Sequence, residues 1–225
     1  MKALIFAAGK GERMRPLTDT CPKALLQVRG MPLIGWHLAA LRAAGIVDIV
    51  INTGWLGEQL PAQLGDGSAY GVNIQWSHEP PEPLETGGGM RRALHLLGDA
   101  PFVATNADIY TDFDYASLPA APTGLAHLVL VDNPQHHPRG DFALRAGRVH
   151  LCGSERLTFS GIGVYRPELV AHYPEGRYGL APILREAIDF GQVTGEHHRG
   201  RWSDIGTPER LALLNEQAGH AHPRV

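Results

Sequence analysis

Cysteine is scarce in this chain: Cys21 and Cys152 are the only two in 225 residues. So distant a pair has no metal-ligand spacing; a single disulfide is the alternative, and two buried thiols in a cytoplasmic protein are expected. Positive charge is not in excess. The 20 Lys and Arg against 23 Asp and Glu give a net charge of −3 with His neutral. Such a chain has no overall field to recruit nucleic acid or an anionic membrane, and neither is expected as a partner. Long apolar runs are missing too. No window approaches the roughly 18 apolar residues of a membrane span. The opening Met-Lys leads at once into a short apolar strand, with no signal-type apolar region. The expected compartment is therefore the cytoplasm. Internal repeats and low-complexity tracts are also lacking. What is present is 44% apolar residues, enough for the core of one large domain spanning residues 1–225.

The first half alternates short β-rich runs with helical patterns. Strands are expected at 2–7, 47–53, 72–76 and 102–105. Helices are expected at 32–44, where apolar residues fall at 34, 38 and 41, over a short stretch marked by Leu56, Leu60 and Leu64, and at 86–97 with Thr86 as a good N-cap. This alternation specifies a mostly parallel sheet with right-handed crossovers. The second half changes style, with strands at 127–131 and 158–165, a hairpin over 142–151 turning at Ala146-Gly147, and a helix at 181–190. Thr207-Pro208-Glu209 reads as a helix start, and 220–225 as a frayed tail with two exposed His. The fold class is α/β: a three-layer α/β/α Rossmann-like sandwich with a mixed, mostly parallel central sheet. About 1–110 would form a nucleotide-type half and 111–225 a more antiparallel half. Ligands of such sheets sit beyond the C-terminal ends of the strands.

The loop after the first strand, IFAAGKGERMRP at 5–16, is rich in glycine and cations. It fails the Walker pattern, because Gly9-Lys10-Gly11-Glu12 lacks the second Gly-Lys-Ser/Thr. It fails the dinucleotide fingerprint as well: Met14 stands where the third Gly belongs, and Pro16 interrupts any helix. A hydride-transfer enzyme is therefore a poor reading. Gly9 and Gly11 still permit close approach of backbone N–H groups to phosphate, and Arg13, Arg15 and Lys23 supply charge. On spacing alone, a phosphate cradle and a solvated surface loop both stay open.

Those residues also carry a resemblance. AAGKGERMRPLT at 7–18 with Pro22-Lys23, LETGGG at 84–89, Asn106-Ala107-Asp108, FSGIGVY at 159–165 and WSDIGTPE at 202–209 occur in order along nearly the whole chain. Together they resemble the signature of the sugar-phosphate nucleotidylyltransferases, which join a nucleoside triphosphate to a sugar 1-phosphate and release pyrophosphate. Departures are small: Ala107 stands where many relatives have Gly, and Ala24 where Pro is frequent.

The resemblance implies a division of labour. Asp108 and Asp204 would ligate Mg²⁺, a hard cation suited to a few carboxylates plus phosphate oxygens and water. Arg13 and Lys23 are the expected catalytic cations, Arg13 on the leaving pyrophosphate and Lys23 on the α-phosphate. Ala8, Gly9, Gly11, Glu12, Arg13 and Lys23 would hold the nucleotide, with Glu85, Thr86 and Gly87 near its base. Asn106, Gly140, Asp141, Glu155, Ser160 and Gly161 would face the sugar. DNPQHHPRGDF at 132–142 looks like the branch of the family that uridylylates N-acetylmuramate 1-phosphate in peptidoglycan recycling. UTP is then the favoured nucleotide, and Arg139, Arg156 and Arg177 are candidates to meet the sugar's lactyl carboxylate. His136-His137 and His197-His198 are expected at the surface or behind the site rather than on a metal. A monomer is expected. Other sugar 1-phosphates (glucose, mannose, a heptose) with other nucleotides are the alternatives within the family, and a catalytically silent nucleotide-sugar sensor is the alternative outside it.

Overall fold

In the computed structural model, residues 1–80 and 82–216 are described; the frayed tail expected at 220–225 lies outside the described residues. Alternation along the first strand sets the layers. In β1 (Ala3–Phe6), Ala3 and Ile5 join one core cluster and Leu4 the other, and all three are fully buried. The remaining strands are β2 (Gln27–Val28), β3 (Met31–Pro32), β4 (Asp48–Thr53), β5 (Asn73–His78), β6 (Phe102–Asn106), β7 (Ile109–Thr111) and β8 (Ala126–Val131). They continue with β9 (Ala143–Arg145), β10 (Arg148–His150), β11 (Thr158–Tyr165), β12 (Val193–His198) and β13 (Trp202–Asp204). The helices are α1 (Leu33–Ala43), α2 (Gln59–Leu64), α3 (Glu85–Leu97), α4 (Glu168–Ala171), α5 (Leu180–Asp189) and α6 (Pro208–Glu216).

Nine strands form one mixed sheet in the order β5-β4-β1-β6-β11-β8-β12-β10-β9. The β5-β4-β1-β6 segment is parallel throughout, as its crossover helices require, whereas β11 runs antiparallel between β6 and β8. On one face, α1 presents Ile34, Leu38 and Leu41 to Ile5, Ile49 and Ile51. On the other, α3 contributes Met90, Ala93 and Leu97, and α5 Ile183, Leu184 and Ile188, against Leu4, Val50 and Leu128. Each fully buried Leu or Ile stabilises this sandwich by about 2 kcal/mol.

The expected hairpin is present: β9 and β10 pair Arg145 with Arg148 across Ala146 and Gly147, both at positive φ (47° and 73°). Three features differ from expectation. Helix α3 begins at Glu85 with Leu84 as its N-cap, and Thr86 Oγ1 accepts instead from the Leu180 N–H at 3.0 Å. The two cysteines are free, as expected, but not buried: Cys21 is half-buried and Cys152 is exposed in the loop after β10. Strand β12 and the short strands β2, β3, β7 and β13 are additional, and β2 with β3 and β7 with β13 form two separate antiparallel ribbons. Among the described residues no helix is long and apolar enough to cross a membrane.

Candidate active site

A cavity of about 660 Å³ opens beyond the C-terminal ends of β1, β4 and β6, marked by Phe6, Asn52 and Asn106. One wall is the glycine loop. Gly11 adopts φ +63°, its carbonyl accepts from Met14 N–H and Thr18 Oγ1, and a β-carbon there would press on the Thr18 methyl at 3.0 Å. Glycine is thus required by both the turn and the contact. Met14 is fully buried with Leu26, Val28, Ile205 and Leu211. That cluster ties the loop to the segment following Asp204 and leaves the neighbouring Arg13 exposed on the cavity.

Asp108 follows β6, and Asp204 ends β13. The β7–β13 register sets Asp204 opposite Ile109, and Ile205 N–H donates to the Asp108 carbonyl oxygen at 2.7 Å, so the two aspartates are brought to one end of the ribbon across about a hundred residues. Lys23 Nζ lies 2.6 Å from Asp108 Oδ2. Arg210, in the first turn of α6, lies 2.5 Å from Asp204 Oδ2. Gly206 shows how tight this corner is. A β-carbon there would be 2.9 Å from Arg210 Nη1, 3.2 Å from Asp204 Oδ2 and 3.5 Å from Arg13 Nη1. Arg13, Lys23 and Asp108 therefore line the cavity, with Asp204 just behind its Gly206 edge.

The donor set suits a hard divalent cation. Asp204 Oδ1 is buried and accepts no hydrogen bond; His136 Nε2 stands 3.0 Å away but off hydrogen-bonding alignment. A buried carboxylate oxygen left in this state is costly unless a cation completes it.

The opposite wall is the start of α3. Glu85 and Thr86 line the cavity, and Glu85 sits at φ +61°, an uncommon conformation for a side-chain-bearing residue. Gly87 has a different task from base reading: its N–H and that of Gly88 both donate to the Tyr178 carbonyl oxygen at 3.0 Å, and a β-carbon on Gly88 would collide with the Gly176 carbonyl. Behind this wall Glu79 Oε1 accepts from Asn52 Nδ2 at 2.6 Å and Oε2 from the Leu84 N–H at 2.7 Å, while Asn52 Oδ1 accepts from the Ala7 N–H at 2.6 Å. Burial raises the Glu79 carboxyl above its ordinary range, an effect these hydrogen bonds partly offset.

Most expected sugar contacts lie outside the cavity lining. Asn106 lines it, and its side chain packs on Gly161, which takes φ +87° in the β11 bulge. Ser160 is buried and builds that bulge, donating to the Val129 carbonyl and accepting from Ile162 N–H. Asp141 Oδ2 accepts from the Phe159 N–H at 2.8 Å and Oδ1 faces His137 at 3.1 Å. Gly140 takes φ +59° against Asn133 and Arg156, and Glu155 is exposed. This cluster connects to the aspartates through His136, a contact that sequence reasoning did not specify. The other His of the two pairs also sit on carboxylates, His197 on Asp132 and His198 on Asp112.

His37 lies beneath the start of β7, next to Asp108. Its Nε2–H donates to the Ile109 carbonyl at 2.9 Å, and Nδ1 faces the Tyr115 hydroxyl at 3.1 Å. Burial pushes this imidazole from an ordinary 6.5 down to about 4, against a smaller opposing pull from the Ile109 bond and the Asp108 charge. Between those values the unfolded chain holds the extra proton, so His37 contributes stability above pH 6.5 that is lost as pH falls toward 4. At pH 5 the loss from this group should reach about 2 kcal/mol. Urea unfolding should show His37→Gln closing its stability gap to the unsubstituted protein between pH 7 and pH 5; a gap independent of pH would mean His37 is not held neutral.

A glycine-rich anion loop, two cations and two converging aspartates on a Rossmann-like sheet define a nucleotide-handling α/β protein. The family model described as nucleotidyl transferase matches residues 2–140, and the chain belongs to that family. It is 51% identical to the N-acetylmuramate alpha-1-phosphate uridylyltransferase of Neisseria meningitidis serogroup B over 228 residues, covering 97% of this chain and 99% of that protein. It is 33% identical to the protein of the same name from Caulobacter vibrioides, covering 92% of each. A Bacillus anthracis structure assigned as a glucose-1-phosphate thymidylyltransferase shares the fold, with a TM-score of 0.84 at 21% identity, over 100% of this chain and 98% of that one.

Proposed function

We propose that this protein transfers a uridylyl group from UTP to N-acetylmuramate α-1-phosphate, forming UDP-N-acetylmuramate and pyrophosphate, in cytoplasmic peptidoglycan recycling. The observation that carries the reading is the gathering of Asp108, Lys23 and Arg13 at one cavity with Asp204 at its Gly206 edge, in a chain 51% identical over nearly its whole length to a relative of that name. Residues 1–110 act as the nucleotide half and 111–225 as the sugar half of one monomeric domain.

A sugar-phosphate oxygen attacks the α-phosphorus, and the bond from that phosphorus to the β-phosphate bridging oxygen breaks, with pyrophosphate leaving. Two anions must approach in line, so charge neutralisation and positioning supply most of the rate. Asp108 and Asp204 would hold Mg²⁺, which would neutralise phosphate charge as a Lewis acid. The loop amides of Ala8, Gly9 and Gly11, with Glu12 alongside and Arg13 reaching over, hold the β- and γ-phosphates. Lys23 places its charge at the α-phosphate, where negative charge accumulates. Thr86 borders the base, with Glu85 beside Arg177 at the cavity rim. Asn106 meets the sugar directly, backed by Gly161, and Gly140, Asp141 and Glu155 belong to the neighbouring loop cluster of the sugar half.

Pyrophosphate release measured across UTP, dTTP, CTP and GTP with N-acetylmuramate, glucose and mannose 1-phosphates, with and without Mg²⁺, tests the reading. Activity should be Mg²⁺-dependent and best with UTP and N-acetylmuramate 1-phosphate. Equal rates with glucose 1-phosphate would sink the substrate assignment, and UTP binding without any turnover would favour the silent sensor.

A further inference from the structure

Three of the cavity's cations, Lys10, Arg13 and Lys23, come from the segment that follows β1; the fourth in its lining, Arg177, comes from the loop between α4 and α5. That loop is clamped to the start of α3. Tyr178 N–H donates to the Leu84 carbonyl, the Tyr178 carbonyl accepts from Gly87 and Gly88, and Leu180 N–H reaches Thr86 Oγ1. Gly87 and Gly88 have no side chain because the loop backbone occupies that space. Arg177 therefore directly precedes the clamped Tyr178, which holds its backbone at the cavity rim.

Its guanidinium is only half engaged. Nε lies 3.1 Å from Glu85 Oε1, while Nη1 and Nη2 have no partner among the described residues. The pair is exposed, with 62% and 49% side-chain accessibility, so Glu85 holds Arg177 weakly and yields it to a competing anion. The planar fork of an arginine matches a carboxylate with two parallel N–H donors. The other arginines that the sequence offered are placed elsewhere: Arg156 donates to the Asp141 carbonyl, and Arg139 is exposed outside the cavity lining.

We infer that Arg177 is the specificity residue for an acidic sugar, receiving the lactyl carboxylate of N-acetylmuramate 1-phosphate in exchange for Glu85. The inference rests on the substrate reading above. It explains why a cation at the rim carries its own counter-ion: a neutral sugar leaves the Arg177–Glu85 pair intact and gains nothing from it, whereas a carboxylate replaces Glu85 with a two-pronged contact.

The test compares kcat/KM for N-acetylmuramate 1-phosphate with that for N-acetylglucosamine 1-phosphate, which lacks only the lactyl ether. The wild-type ratio is measured first, and a ratio near one overturns the substrate reading before any variant is needed. Given a high wild-type ratio, Arg177→Gln should lower it by about 10- to 100-fold, the scale of a lost charged hydrogen bond. The change should fall on KM for the acidic sugar rather than on kcat, and Arg177→Lys should restore part of it by charge without the fork. An unchanged ratio in Arg177→Gln overturns the inference. So does a rise in KM for UTP that is equal with both sugars, which would assign Arg177 to the nucleotide.

Discussion

Lys23→Ala is expected to lower kcat by about 100-fold or more, the scale seen when one preorganised charge is removed from a site of developing negative charge. The KM for UTP should move by less than about threefold, because an interaction made chiefly in the transition state leaves ground-state binding almost intact. The structure explains why a single lysine carries so much. A 3₁₀ turn at Lys23–Leu25, closed by Leu25 N–H on the Pro22 carbonyl and Leu26 N–H on Lys23, sets the side chain, and its Cβ packs against Gly11. The Lys23 side chain is only 13% accessible, and Nζ is held at Asp108, so the charge is waiting at the site rather than recruited from solvent. Arginine should not rescue it, since a longer planar head cannot occupy the place of a compact ammonium 2.6 Å from Oδ2. Steady-state kinetics on the variant and its urea midpoint together decide the matter: a folded protein with undiminished kcat removes Lys23 from the chemistry.

The parts of this site that were legible in the sequence are those encoded locally. Strand β1 announces itself by Leu4 and Ile5, the loop by Gly9 and Gly11, and the Ala146-Gly147 turn by a pair suited to positive φ. The helical period of Ile34, Leu38 and Leu41 gave α1 almost to its ends. Strand β12 was missed because it buries only Val193 and Gly195 and ends in Glu196-His197-His198, with neither alternation nor an apolar run to mark it. Strands β7 and β13 are three residues each, too short for periodicity to speak.

Contacts made only by tertiary docking were the least legible. His136 reaches Asp204 from 68 residues away, and nothing in HHP distinguishes that His from a surface one. Arg210 looked like any first-turn residue of a helix, yet α6 delivers it to Asp204. Thr86 had every local mark of an N-cap. Its hydroxyl serves the clamping loop because Glu85 enters the helix at positive φ and shifts the start by one residue. Ser160 and Gly87 carried the family pattern but build the bulge and the clamp. In each case a motif marks a place in the fold, and the partner it meets there is decided by packing from elsewhere in the chain.

The largest loss is expected from Asp204→Asn: about a thousandfold or more in turnover, with a higher Mg²⁺ requirement, since the charge stabilisation at stake is several kcal/mol. The reason goes beyond a lost charge. Arg210 Nη1 sits 2.5 Å from Oδ2 and can only donate, so an asparagine must turn its oxygen toward Arg210. Its NH₂ group then occupies the place of Oδ1, the buried oxygen that accepts no hydrogen bond, and presents a donor where a cation should be held. Asp108→Asn has a milder geometry, because Lys23 likewise claims the oxygen but the carboxylate is 35% accessible and solvent relieves the mismatch. Arg210→Ala, by contrast, leaves both Asp204 oxygens in place and loosens only their aim, so it should fall well short of the asparagine variant. Titrating Mg²⁺ in the pyrophosphate-release assay separates the three. Asp204→Asn should remain slow at saturating metal, Arg210→Ala should recover toward the unsubstituted rate as Mg²⁺ rises, and a shared metal midpoint for all three and the unsubstituted protein would take Asp204 out of the metal site.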